Sequence, residues 1–145
     1  MANHAGPRRR ARELALQCLY QWDQQRHEAD LDIAEEVLDS LNAEPDSRPH
    51  ARLILSTYWE RSTEIDEWID SSSDNWRIAR MAVIDRNVLR IAATEMRWIE
   101  EVPPKVAIDE AIEIVRRFST EKSATFVNGI LDKLMKDAEQ ENGLR

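Results

Sequence analysis

Four of the five residues from 8 to 12 are arginines, Arg8, Arg9, Arg10 and Arg12, with no acid among them. A guanidinium group meets phosphate oxygens with several N–H donors at once, so such a cluster suits an anionic polymer. Pro7 is placed to open a helix just before it, because its fixed φ suits the first turn. At about 100° per residue, Arg9, Arg12, Leu16 and Tyr20 then share one stripe of that helix. A cationic stripe ending in an aromatic ring offers phosphate contacts and a platform on which a base of single-stranded RNA stacks. Cations in a first turn oppose the helix dipole, so the cluster does not serve helix stability. The plainer reading is a solvated basic helix end, and basic clusters of that sort are common.

The remaining reactive residue types assemble into nothing comparable. His4, His27 and His50 fall in tail or inter-helix stretches, and the single Cys18 leaves no zinc spacing. Asp109, Glu110 and Glu113 stand at helical spacing and could gather a divalent cation, although the wet side of an amphipathic helix is the simpler account. Glycine-rich phosphate loops and nucleophile elbows are absent. The expectation is a chain without catalytic residues, metal or cofactor.

Three glycines and five prolines among 145 residues leave little turn chemistry. Leu, Ala, Glu and Arg recur at 3.6-residue spacing, which argues for an all-α domain long enough to bury a core. The formal net charge is -8, and setting aside the four clustered arginines leaves -12 on the rest. A basic patch on an acidic body suggests two surfaces for two partners. A lone cysteine on an apolar helix face fits a reducing cytoplasm. No apolar run approaches a membrane span, and the first residues lack the apolar core of an export signal, so the protein is expected to be soluble and cytoplasmic.

About seven helices position these residues. In the first, Ala11, Leu14, Ala15, Cys18, Leu19 and Trp22 face the core. The second runs from an Asp30 cap to Leu41, and Asn42 to Pro49 breaks the pattern. Ala51, Ile54, Leu55, Tyr58, Ile65, Trp68 and Ile69 keep one helical phase, predicting a long third helix whose Glu60, Glu64 and Glu67 are solvated. The serine run 71–73 with Asp74 marks a boundary between an N-terminal helical subdomain, about 7–72, and a C-terminal one, about 73–138. A short helix from Trp76 to Met81 leads into Ile84–Ile99, which is apolar on more than one face and so predicts a central helix shared by two small bundles. Asp85 suits its N-terminus, and Pro103 and Pro104 end it. The sixth helix carries Val106, Ala107, Ala111, Ile112 and Val115, with Arg116 and Arg117 at its dipole-favoured end. The seventh follows a cap at Ser119 or Thr120, and Gly129 within it implies close approach by another backbone.

Three segments carry a family resemblance: RRRARELALQCLYQWD, IDRNVLRIAATEM and VPPKVAIDEAIEIVRRFSTEKSATFVNGILDK. Over nearly its whole length the chain resembles the NusB family of bacterial transcription antitermination factors, and FVNGILD after PPKVAIDEA is the most specific match. The resemblance implies two small helical bundles that bind the boxA element of nascent RNA together with NusE, a ribosomal protein. The complex acts with RNA polymerase to read through terminators in ribosomal RNA operons. By position, Arg8, Arg9, Arg10 and Arg12 match the family's arginine-rich RNA-binding motif, Tyr20 an aromatic on the same helix, and Phe126 a residue beside the RNA path. Asp85 matches an acidic position on the NusE-facing side, and a helix-N-terminal carboxylate is its plainer reading.

Three residues depart from the family pattern. Thr94 stands where Tyr is usual, Asp109 replaces Asn, and Lys122 replaces an Asp close to the RNA path. Lys122 thereby becomes a candidate RNA contact. Some members self-associate, so a homodimer that masks the arginine face is a further expectation. The alternatives are an RNA-binding domain like that fused to RNA cytosine methyltransferases, and a plain protein-interaction bundle.

Overall fold

A computed structural model of the chain describes residues 6–25, 31–74 and 77–142, with side chains up to residue 140. The Asp30 cap, the Trp76 helix start, His4 and His27 lie outside the described residues. The architecture is all-helical: α1 (Pro7–Gln25), α2 (Leu31–Ser40), α3 (Arg48–Glu60), α4 (Ser62–Ser71), α5 (Val83–Trp98), α6 (Pro104–Phe118) and α7 (Glu121–Asn142). Two 3-10 turns, Pro45–Ser47 and Ile78–Arg80, punctuate it, and no strand occurs among the described residues.

The helix count holds, but two elements differ from the sequence reading. The long third helix is two helices, α3 and α4, broken at Arg61 (φ -121, ψ 24). Its N–H closes α3 on the carbonyls of Thr57 and Tyr58, while its own carbonyl accepts the N–H of Ile65 and opens α4. Tyr58 and Ile65, seven residues apart, stay in helical phase across the break, so periodicity does not reveal it. The fully buried Tyr58 spans the joint by donating its hydroxyl to Asp66 Oδ1 at 2.9 Å. The short helix expected up to Met81 is only the turn Ile78–Arg80, anchored by the Ile78 N–H on Asp70 Oδ1 at 2.6 Å.

Helix ends follow local chemistry. The chain leaves α2 through Asn42 in the left-handed region (φ 53), with Ala43 N–H bonding Leu38 O and Asn42 N–H bonding Asp39 O. That is a Schellman ending in which asparagine takes the position glycine usually holds. Thr120, one of the two expected caps, accepts the N–H of Ser123 on its hydroxyl at 3.0 Å and so opens α7.

α5 packs against α1, α3, α4, α6 and α7. Val88, Leu89, Ile91, Ala92, Ala93 and Met96 are all buried, which places apolar groups on nearly every side of it. The α1 residues Ala11, Leu14, Ala15, Cys18 and Leu19 are buried as their spacing predicts, and Trp22 is partly buried. Arg12 pairs with Glu95, and Asp23 with Arg86, so α1 and α5 run antiparallel. Tyr20 therefore lies at the end of the molecule where α5 begins.

Candidate nucleic-acid interface

The four arginines divide into two kinds. Arg12 is 3% exposed, and its Nε meets both Glu95 oxygens at 2.8 and 3.0 Å. Its Nη1 also reaches Glu110 Oε1 at 3.4 Å. Glu95 is fully buried and takes a second contact from His50 Nε2 at 2.7 Å. Arg12 is thus enclosed in a charge cluster and has no solvent face to offer a phosphate. It shares its stripe with Leu16, which is also buried, because α5 and the carboxylate of Glu110 on α6 cover that side of α1. His50, expected between helices, lies inside α3.

Arg9 is part-exposed and forks onto Glu110, Nε to Oε1 at 2.8 Å and Nη2 to Oε2 at 2.7 Å. The Arg9 hydrogen bonds hold the Glu110 carboxyl below its ordinary range, outweighing the burial that would raise it. Glu110 is therefore not part of a solvated carboxylate row. Among the described residues, no group of three His, Cys, Asp or Glu could hold a metal ion.

Arg8 and Arg10 are the loosely held pair, although Arg10 is no more exposed than Arg9 (38% against 36%). Among the described residues, Arg8 is exposed with a 3.4 Å contact to the Glu101 carbonyl, and Arg10 makes a 3.4 Å contact to Glu13 Oε1. Tyr20 is 40% exposed and presents its ring along the same helix. Cys18 is buried, and burial pushes its thiol up to about 12, which leaves it inert.

Asp85, Lys122 and Phe126 come together elsewhere. They line a cavity of about 340 Å³ between the start of α5 and the start of α7, with Arg80, Met81 and Ser123. Asp85 is 5% exposed, so it is not a rim carboxylate. Ser123 donates to its Oδ2 at 3.1 Å, while Oδ1 is buried without a hydrogen-bond partner among the described residues. Burial raises the Asp85 pKa, and the Ser123 hydrogen bond only partly opposes that. Lys122 is exposed and Phe126 is half-buried. Gly129 is exposed, and a Cβ there would meet nothing within 4 Å, so no backbone among the described residues makes the expected close approach.

Sequence reasoning missed Glu13, Glu95 and Glu110 as partners of the arginines. Glu110 lies 101 positions from Arg9, and nothing in the spacing links them.

An arginine-edged helix set in an all-helical body, with a separate cavity lined in part by Phe126 of the FVNG segment, is an arrangement shared with transcription antitermination proteins. The profile of the NusB family matches residues 9–136, and the chain belongs to that family. It is similar to the transcription antitermination protein NusB of Salinibacter ruber, 42% identical over 94% of this chain and 86% of that protein. Its likeness to NusB of Koribacter versatilis is 38% over 97% of both. The solved structure of T. maritima NusB is 38% identical and superposes with a TM-score of 0.81, covering 94% of each chain. A complex of the antitermination factors NusB and NusE with dsRNA matches at 26% identity and a TM-score of 0.81, over 90% of this chain and 97% of that one. Family membership makes this chain an antitermination protein and not an enzyme. No helix among the described residues is long and apolar enough to cross a membrane.

Proposed function

We propose that this chain binds boxA-like single-stranded RNA along α1, together with NusE, as part of the RNA polymerase antitermination complex in the cytoplasm. The observation that carries this is the division of labour within the arginine cluster. Arg9 and Arg12 are held by close bonds to Glu110 and Glu95, while Arg8 and Arg10 make only 3.4 Å contacts, to the Glu101 carbonyl and to Glu13, and so keep more of their donors free on a helix that also exposes Tyr20. Arg8 and Arg10 then meet phosphates, Tyr20 stacks on a base, and Arg9 and Arg12 fix the helix that carries them. A related NusB is found in complex with NusE and dsRNA, which supports NusE and RNA as kinds of partner.

Phe126 and Lys122 form a second contact region at the α7 end, with the ring available to a base and the cation to a phosphate. The chain reads as two helical halves meeting on α5, so RNA that follows α1 toward Tyr20 passes from one half to the other. Asp85 supports the NusE side from within, through Ser123, and self-association that covered α1 would compete with RNA.

Fluorescence anisotropy with a boxA-like RNA and a scrambled one, each with and without NusE, tests the reading. Two or three neutralised phosphates give a slope of log K against log salt of about -1.4 to -2.1. Lys122→Asp should weaken RNA binding and flatten that slope with an unchanged melting temperature. Salt-independent binding, or equal affinity for boxA-like and scrambled RNA with NusE present, would overturn the assignment.

A further inference from the structure

We infer that Arg117, at the C-terminal end of α6, joins Arg10 to form a phosphodiester-binding subsite flanking the α1 surface. The inference rests on the RNA-binding reading and adds a residue that the arginine motif does not contain. Glu13 carries it. This carboxylate is 6% exposed and lies between two guanidinium groups, with Arg10 Nη1 3.4 Å from Oε1 and Arg117 Nη1 3.1 Å from Oε2.

One buried anion therefore holds two cations from different helices at a single place, and the trio keeps a net charge of +1. Each guanidinium has five N–H donors and spends one on Glu13, so both retain donors for an incoming oxyanion. Arg10 is 38% and Arg117 64% exposed, which leaves those donors in reach of solvent. On a body of net charge -8, a two-guanidinium site of this kind is the local opposite of its surroundings.

A helix-C-terminal arginine needs no partner to be favourable, since the dipole suffices. Arg117 nonetheless reaches a residue 104 positions away, and the adjacent Phe118 ring, 40% exposed, lies 5.5 Å beneath its guanidinium carbon. The ring and Glu13 together fix the guanidinium from two sides, so a phosphate meets a preorganised fork. Arg116, one position earlier, pairs instead with Glu121 and lines the groove between α6 and α7. It is the built-in control.

The test is anisotropy of the full chain with labelled single-stranded boxA-like and scrambled RNA across a salt series. Arg117→Ala should weaken both RNAs by one common factor, about three- to fivefold at low salt, and reduce the salt slope by about 0.7. Arg116→Ala should leave both quantities unchanged. Arg117→Lys, which keeps the charge without the fork, should keep the slope and lose part of the affinity, and Arg117→Gln, which removes the charge on a similar stem, serves in place of the alanine variant should that one fold poorly. A wild-type slope in Arg117→Ala, alongside flattened slopes in Arg8→Ala and Arg10→Ala, overturns the subsite and leaves the RNA reading standing. Salt-independent binding by the wild type overturns both.

Discussion

Replacing Arg12 with alanine separates two roles open to an arginine in this cluster. If Arg12 met phosphate, its loss would reduce affinity and flatten the salt dependence while leaving the fold intact. The structure gives the opposite expectation. Its guanidinium and the Glu95 carboxylate are 4% and 1% exposed, with the Nε at 2.8 Å. Deleting the cation leaves the carboxylate in the core with His50 as its remaining partner. An uncompensated buried charge of this kind costs about 3 to 5 kcal/mol. Against a typical domain stability of about 5 to 15 kcal/mol, that is a large part of the total, and it corresponds to a melting temperature lower by roughly 10 to 20 °C. Urea unfolding followed by far-UV circular dichroism measures the loss. Anisotropy well below the new melting point should show the wild-type salt slope. Arg12→Met combined with Glu95→Leu should recover much of the stability, because removing both charges also removes the desolvation penalty. A stability change under about 1 kcal/mol together with a flattened salt slope would place Arg12 on the RNA surface and refute the reasoning.

Asp85→Asn should stabilise the protein by about 0.5 to 2 kcal/mol at pH 7. The folded-state pKa is raised, so the wild type loses stability as pH climbs from the ordinary carboxylate range through the raised value, and the gain should vanish below about pH 4 in melts at paired pH values. Asp23→Asn should do the reverse. Burial raises the Asp23 pKa, but hydrogen bonds from Arg86 and the charge of Arg90 more than offset this and lower it. The contribution of Asp23 is thus complete above the unfolded value and lost as pH falls through the folded one, so a deficit of about 3 kcal/mol at pH 7 should shrink toward pH 3. Gly129→Ala should add about 1 kcal/mol to stability, read by urea midpoint, because the added methyl meets open space. A lower midpoint would contradict the geometry at that position.

Much of this fold is legible in the residues, since apolar spacing and proline positions locate α1, α5, α6 and α7. What was not legible depends on distant partners. Tyr58 and Ile65 keep phase across the Arg61 break, so only the Tyr58–Asp66 bond and the way the chain turns there distinguish two helices from one. The arginine motif is plain in sequence, but its division into pinned and loosely held members depends on Glu95 and Glu110, which arrive from α5 and α6. Arg117 reads locally as a dipole partner, and its link to Glu13 exists only in the folded chain. Asp85 has a helix-start signature whether it faces solvent or a cavity, and burial decides which.

A helix as apolar as α5 has an assembly problem, because greasy surface alone would let it sit at several rotations and heights among its neighbours. Its polar residues remove that freedom. Asp85 has its contact with Ser123 on α7, Arg90 with Asp23 on α1 and Asp66 on α4, and Glu95 with Arg12 on α1 and His50 on α3. A slip by one turn shifts the helix about 5.4 Å and parts Asp85 from Ser123 and Glu95 from Arg12 and His50, although Arg86 and Arg90, one turn apart and both bonded to Asp23, can exchange places there. Each misaligned arrangement therefore carries several stranded charges at once, so the search for the native packing ends at a single setting of α5. Carboxylates that add little to net stability act as the notches of a key.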